Sequence, residues 1–405
     1  EALERLGMML QQRKGEKAGQ APLEYWTMGY WHRCDACGVY PASERARVGE
    51  ERDEELLCDA CGEKRRRGRQ ARESRELLPM AESLEEVVGE SDRLAVVYGD
   101  LNAGGELLQV ARQPREVRAF SERLWQTIVE SVQQVVKEQR LEWRYQSPIV
   151  GGDDAVLFLP ASRALGTLAG LWELLEQRVR AIAADPALEG NEELKTRLAG
   201  ATWSLALVIA PHHLPIPFLF EYAQGLLKSA KRRVYEERSR GRAVSALDFF
   251  WITDGTPLSE EPTKLREEFF ERRYCEQPPI QKPRVPVAGE FRTVDGLRLT
   301  AKPYTKEEFD ELRGQAAALR AAGVSRGQLR QLAGLLDQPH PWDAQLDLQY
   351  QIARSRIWRD YLATQGVTPD AWLDFFFTWD TQPRVVATTR LLDLLELHEL
   401  QSLAG

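Results

Sequence analysis

The stretch Ile149-Val150-Gly151-Gly152-Asp153-Asp154-Ala155-Val156-Leu157-Phe158 sets an apolar run on each side of Gly-Gly-Asp-Asp. This pattern predicts a β-hairpin: strand, tight turn, strand. Gly151 and Gly152 adopt backbone angles that other residues resist, and they leave room beside the turn for a ligand. Asp153 and Asp154 then stand at the tip of a rigid support. Adjacent carboxylates repel each other unless a cation joins them, and a divalent ion with nucleotide phosphate is the expected partner. A plain polar turn is the bland alternative.

The flanking sequence extends the pattern. Arg93-Leu94-Ala95-Val96-Val97-Tyr98-Gly99-Asp100 reads as a buried strand ending in an acid, and Leu101-Asn102-Ala103-Gly104-Gly105 as a flexible turn. An amphipathic helix is expected over 115–139, hairpin strands over 141–150 and 155–159, and a helix over 164–182. A polar excursion over 183–200 leads to a strand over 202–210. A helix over 218–233 ends Lys228-Ser229-Ala230-Lys231-Arg232-Arg233, and a last strand covers 246–253. The order strand, helix, hairpin, helix, strand, helix, strand is that of a palm: a ferredoxin-like sheet with helices on one face. In that topology Asp100 and the hairpin acids meet on adjacent central strands. His212-His213 follows the strand 202–210, where a histidine pair either approaches a nucleotide or simply packs.

The ends of the chain differ in character. Residues 1–33 read as a short helical segment with an aromatic patch, Tyr25-Trp26-Thr27-Met28-Gly29-Tyr30-Trp31. Cys34-Asp35-Ala36-Cys37 and Cys58-Asp59-Ala60-Cys61 each precede a glycine, Gly38 and Gly62. Two such knuckles offer four thiolates to one tetrahedral zinc ion, with no open position for substrate, so the site is read as structural. A redox pair is the alternative, and Cys275 stands apart. With the basic run Lys64, Arg65, Arg66, Arg67, Arg69 and Arg72, this module spans 34–90. The run is either a solvated helix face or a contact for RNA backbone or an acidic partner. The palm covers 91–275. A Pro-rich linker over 277–286 opens the segment 276–405, expected to be a helical bundle with caps at Thr305, Ser325, Asp343 and Thr368. Trp372, Phe375, Phe376, Phe377 and Trp379 suggest a partner surface there.

With 405 residues, 43% of them hydrophobic, the chain can form several cores. A net charge of −8 argues against nucleic-acid binding over the whole surface. No run of eighteen apolar residues occurs, so a cytoplasmic, non-membrane protein is expected. The chain opens Glu1-Ala2-Leu3, without initiator Met or signal peptide, as a piece of a longer protein would.

Phosphoryl-transfer palms hold two metal ions between carboxylates of neighbouring strands. Asp100 and Asp154 suit that role as main magnesium (or manganese) ligands, with Asp153 as a further ligand or support. Lys228 and Lys231 are placed to hold the β- and γ-phosphates of ATP; their alternative is a solvated helix end that favours the helix dipole.

Taken together, the four-cysteine module, Gly99-Asp100-Leu101-Asn102, Gly151-Gly152-Asp153-Asp154, Leu227-Lys228-Ser229-Ala230-Lys231 and a helical C-terminus resemble the large polymerase-cyclase subunit of type III CRISPR effector complexes, CRISPR-associated protein ten. The resemblance covers residue 30 to the end. It implies an α+β protein of zinc module, cyclase-type palm and C-terminal helical bundle that makes cyclic oligoadenylates from ATP when target RNA pairs with guide RNA. It also implies assembly with the other effector subunits. The family's His-Asp nuclease motif is absent from this sequence, so nuclease action is not expected. Its Asp-x-Asp first-strand motif here reads Asp100-Leu101-Asn102, which offers only a neutral oxygen at the third position. The competing readings are a catalytically silent scaffold and a diguanylate-cyclase-like enzyme. The latter lacks its product-binding Arg-x-x-Asp, because 144–150 contains no acid.

Overall fold

The computed structural model describes residues 32–48, 53–74, 78–253, 261–273, 284–287, 290–336, 341–380 and 385–403. The aromatic patch at 25–31 and Cys275 lie outside them. The chain divides into two compact units, Glu1–Glu76 and Leu77–Gly405.

In the first unit, β1 (Glu44–Val48) and β2 (Asp53–Leu57) form an antiparallel hairpin, followed by α1 (Asp59–Ser74). Much of the basic run on α1 is already balanced. Arg66 pairs with Glu44 at 2.7 Å and Glu63 at 3.2 Å, Arg67 with Glu63 at 2.7 Å, and Arg65 with Glu55.

The second unit begins with the short helix α2 (Leu84–Val88) and strand β3 (Arg93–Leu101). Then come α3 (Gly104–Val110), α4 (Pro114–Glu138), β4 (Gln146–Gly151), β5 (Asp154–Pro160), α5 (Ala164–Ala181) and α6 (Glu192–Ala199). Next are β6 (Trp203–Pro211), α7 (Ile216–Ser239) and β7 (Ala246–Trp251). The strand order β7-β6-β3-β5-β4 contains the ferredoxin-like core: β3 is central and antiparallel to both β5 and β6. Residues 78–90, expected with the zinc module, pack here instead. Ala81 donates its N–H to the Tyr145 carbonyl at 2.9 Å, and Val87 and Val88 are buried.

The expectation of helices on one face holds only for α4 and α5. They cover the side of the sheet carrying Ala95, Val97, Leu157, Leu205 and Leu207. On the opposite side, α7 packs over Val96, Tyr98, Val156, Phe158, Ala206 and Val208. The cause is the β6-α7-β7 crossover: β6 and β7 are parallel, so a helix must return between them, and it covers the second face. All nine residues of β6 are therefore buried.

Three local expectations shift as well. The first hairpin strand begins at Gln146 rather than 141, because Arg140 and Trp143 take left-handed backbone angles (φ 53° and 64°). The turn at 101–105 is short: Ala103 is left-handed (φ 58°) and α3 starts at Gly104. The excursion at 183–200 contains α6, capped by Asn191, whose side chain accepts from the Leu194 N–H at 3.1 Å.

The C-terminal part is not purely helical. After α8 (Pro262–Phe269) and β8 (Glu271–Arg273), β9 (Arg284–Val287) pairs with β10 (Glu290–Thr293). β11 (Gly296–Arg298) follows, and β12 (Tyr304–Thr305) adds to the palm sheet beside β7. The helices α9 (Lys306–Ala321), α10 (Arg326–Leu335), α11 (Pro341–Arg354), α12 (Arg356–Thr364) and α13 (Trp372–Phe376) precede β13 (Phe377–Asp380), β14 (Val386–Thr389) and α14 (Leu391–Leu403). The order β13-β14-β11-β8 makes a second sheet. Capping boxes at Thr305 and Ser325 start α9 and α10.

The aromatic run turns inward rather than forming a partner surface. Phe376 and Phe377 are buried, and Phe376 lies 5.8 Å edge-on to Trp358. The side chain of Lys302, buried 3.9 Å above the Phe249 ring of β7, pairs with Glu396 of α14. Palm and C-terminal helices thus share one core. Among the described residues, no helix is long and apolar enough to cross a membrane.

Candidate active site and metal centre

The hairpin register brings the acids together. Asp100 on β3 sits directly opposite Asp154 on β5, and the Leu101 N–H donates to the Asp153 carbonyl at 3.1 Å. Directly opposed residues place their Cβ atoms roughly 5 Å apart. The period of two sets the face. Tyr98, Asp100 and Asp154 share the side of Val96 and Val156, the side covered by α7. The chain turns through Gly152 at φ 65°, and a Cβ at either glycine would meet open space, so the turn leaves clear volume beside the acids.

On α7, the apolar stripe Leu219, Tyr222, Ala223, Leu226, Leu227 and Ala230 sits on the sheet. Lys231, four residues after Leu227, continues the stripe beyond the sheet's apolar part. Its Nζ lies 2.7 Å from Asp100 Oδ1. Lys228 is exposed and borders the same shallow depression as Lys231.

Burial is the main cause that pushes the Asp100 carboxyl up to about 6; Lys231 opposes the rise, and Asp154 and Asp153 add to it. The Tyr98 hydroxyl is pushed up to about 12, by burial first and then by the charge of Asp154. Asp154 Oδ1 is buried with no hydrogen-bond partner. An orphaned buried carboxylate oxygen facing a second acid is a site that favours a cation. The donor set fits a divalent ion, with oxygen ligands from Asp100 and Asp154. Asp153 turns elsewhere: a Cβ on Gly104 would lie 2.9 Å from its Oδ2.

Asn102 is buried and committed. Its amide donates to Thr202 Oγ1 at 3.1 Å, and its oxygen accepts from Ser204 at 2.7 Å. His212 and His213 lie at the far end of the sheet. Pro211 pairs with Arg93, whereas Asp100 pairs with Ser204, so at 3.3 Å per residue the separation is about 23 Å. His212 instead pairs with Asp92 at 2.5 Å.

Sequence reasoning missed Tyr98, although its position two residues before Asp100 already put it on the same face. It also missed a cavity of about 270 Å³ at the end of β3, walled by Ala201, Val234 and Tyr235, with Arg238 held by Glu106 at 2.9 Å.

Residues 93–240 match the family model described as Cas10/Cmr2, second palm domain. The palm belongs to the Cas10/Cmr2 family. The match runs from the start of β3 to just beyond α7, so it encloses all the acids and both lysines of this Cas10/Cmr2 palm. No curated protein matches the sequence. Solved structures are similar too, two of them as follows. Csm1 from T.onnurineus is 11% identical at a TM-score of 0.41, over 88% of this chain and 42% of that one. A bacterial light-regulated adenylyl cyclase is 11% identical at a TM-score of 0.20, over 29% of this chain and 30% of that one. The chain thus spans less than half the length of either.

In the other unit, Cys34, Cys37, Cys58 and Cys61 place their sulfurs within 4.8 Å of one another. Cys37 Sγ and Cys58 Sγ are 3.9 Å apart. A disulfide needs about 2.0 Å, whereas a tetrahedral zinc with Zn–S near 2.3 Å needs about 3.8 Å between sulfurs. The set fits zinc. Burial tends to raise the Cys34 thiol, but the backbone amides of Cys58, Cys37 and Ala36 bring it down to about 6. Burial, together with the neighbouring sulfurs, pushes Cys61 up to about 12.

Proposed function

We propose that this chain is the palm-bearing part of the large subunit of a type III CRISPR RNA-guided effector complex. In this reading it joins ATP into cyclic oligoadenylates, with release of pyrophosphate, when target RNA is bound. The observation that carries it is Asp100 set opposite Asp154 beneath Lys231 within a Cas10/Cmr2 palm.

Magnesium or manganese at Asp100 and Asp154, with Asp153 as further ligand or support, supplies charge neutralisation and a more acidic attacking hydroxyl. The chain's own residues do the rest. Gly151 and Gly152 keep the turn free of side chains, so a triphosphate can lie over it. Without nucleotide, Lys231 neutralises Asp100. When the phosphates arrive, Lys231 and the exposed Lys228 turn to the β- and γ-oxygens, which frees the Asp100 carboxylate. The zinc at the four cysteines is structural, because four protein sulfurs leave no position for substrate. The protein works in the cytoplasm with the other effector subunits, guide RNA and target RNA.

The test is incubation of the assembled complex, with guide and target RNA, with ATP and magnesium, followed by mass spectrometry. Cyclic oligoadenylates that vanish in the Asp153→Ala/Asp154→Ala variant are the expected result. Absence of any nucleotide product, with assembly intact, would refute the enzyme reading. The scaffold would then stand, favoured by the Asn102 amide being spent on Thr202 and Ser204.

A further inference from the structure

A cavity of about 540 Å³ lies between α7 and the sheet β13-β14-β11-β8, and shares Arg232 and Glu236 with the depression that Lys228 and Lys231 border. Arg232, Arg233, Arg266, Arg298, Lys302 and Arg390 line it, against Glu236, Glu271 and Glu308. Six cations and three carboxylates face the cavity, and carboxylates outside its lining (Asp248, Asp393, Glu396, Glu237 and Glu311) reach four of the six cations.

Three of these cations are closely satisfied by the protein. Arg266 pairs with Asp248 at 2.5 Å, Lys302 with Glu396, and Arg233 with Glu308 at 2.9 Å. The other three are not. Arg232 is exposed and makes no ion pair among the described residues. Arg298 reaches Glu271 only at 3.5 Å, and Arg390 reaches Glu311 only at 3.6 Å. Charge-assisted hydrogen bonds lie near 2.7–2.9 Å.

The three loosely held guanidinia come from three separate elements: α7, β11 and the residue between β14 and α14. The Thr300 and Thr388 residues join them on the cavity wall. A surface helix face would present its arginines outward from one element; here the tertiary fold turns them into one concave space. We propose that this cavity is a binding site for a phosphate group. A guanidinium is a planar fork matched to two oxygens, and three forks exceed what a single carboxylate can accept, whereas a phosphate offers enough acceptors. The phosphate belongs either to a free nucleotide or to the backbone of single-stranded RNA. The inference does not depend on catalysis at Asp100.

The test uses the full chain without divalent cations, in a Lys228→Ala/Lys231→Ala background that removes the palm lysines. Binding of inorganic phosphate, ATP and a short single-stranded RNA is measured by titration. At least one probe is expected to bind, and adding Arg298→Gln/Arg390→Gln to weaken it about a hundredfold, from the loss of two charge-assisted contacts. Arg232→Gln, at an exposed residue with no ion pair to lose, is expected to weaken it about threefold and guards against a folding defect in the double variant. A response to ATP and phosphate identifies a nucleotide as the source, and a response to RNA alone identifies the phosphodiester backbone. Failure of all three probes to bind, or binding indifferent to both arginine variants, would overturn the proposal.

Discussion

Asp100→Asn is expected to abolish product and, at the same time, to stabilise the fold. The Asp100 carboxyl sits at about 6 in the folded chain, against its ordinary 3.8, chiefly because it is buried. Between those two values the folded state binds the proton and the unfolded state does not, so stability falls as pH rises through that window. Above pH 6 the whole difference of about two units is lost to the fold. At 1.36 kcal/mol per unit this is on the order of 2–3 kcal/mol, and the side chain is only 13% exposed, so solvent screens it little. Asparagine keeps the shape without the charge and recovers most of that cost, while Lys231, one-third exposed, turns to water. Thermal unfolding in buffer free of magnesium should show the variant a few degrees more stable than wild type at pH 8, and equal to it at pH 3.5. Equal stability at both pH values, or a gain that persists in acid, would refute the argument, because either result means that Asp100 is not held as a buried charge among the other acids.

Lys231→Ala should weaken ATP binding about tenfold through the loss of one charge-assisted contact, measured by titration with magnesium present. Cys34→Ser should lose the zinc, which wild type is expected to carry at one ion per chain by metal analysis, and should unfold the β1-β2 hairpin in the first unit. His212→Ala should leave nucleotide synthesis within about twofold of wild type, since some 23 Å of β6 separates it from Asp100.

Much of this architecture was legible along the chain because its signals are local. Apolar alternation and runs located β3, β5 and β6, the 3.6-residue stripe located α4, α5 and α7, and paired Cys-x-x-Cys spacing located the sulfur cluster. Even the capping boxes at Thr305 and Ser325 needed only residues three apart. The strands β11, β13 and β14 were not legible. They run only three or four residues, and the β13–β14 hairpin is held in its sheet by β11, which comes from far earlier in the chain, so their stability comes from contacts that no local pattern records. The inward turn of Phe376 and Phe377 was hidden for the same reason.

Residue order alone determined that Asp100 ends a buried strand, that Gly151 and Gly152 make a turn carrying two acids, and that lysines recur at 228 and 231. Only the tertiary structure decided how these combine. The β3–β5 register set Asp100 against Asp154 and left Asp153 turned to Gly104. The β6-α7-β7 crossover laid α7 over the acids' face, so that Lys231, but not Lys228, reached a carboxylate. The β3–β6 register put the histidine pair at the opposite end of the sheet and consumed the Asn102 amide internally. The physical reason is the period-two pleat combined with long-range pairing. A residue's identity says what chemistry it can do, but the face and the end of the sheet on which it does it are fixed by strands dozens of residues away.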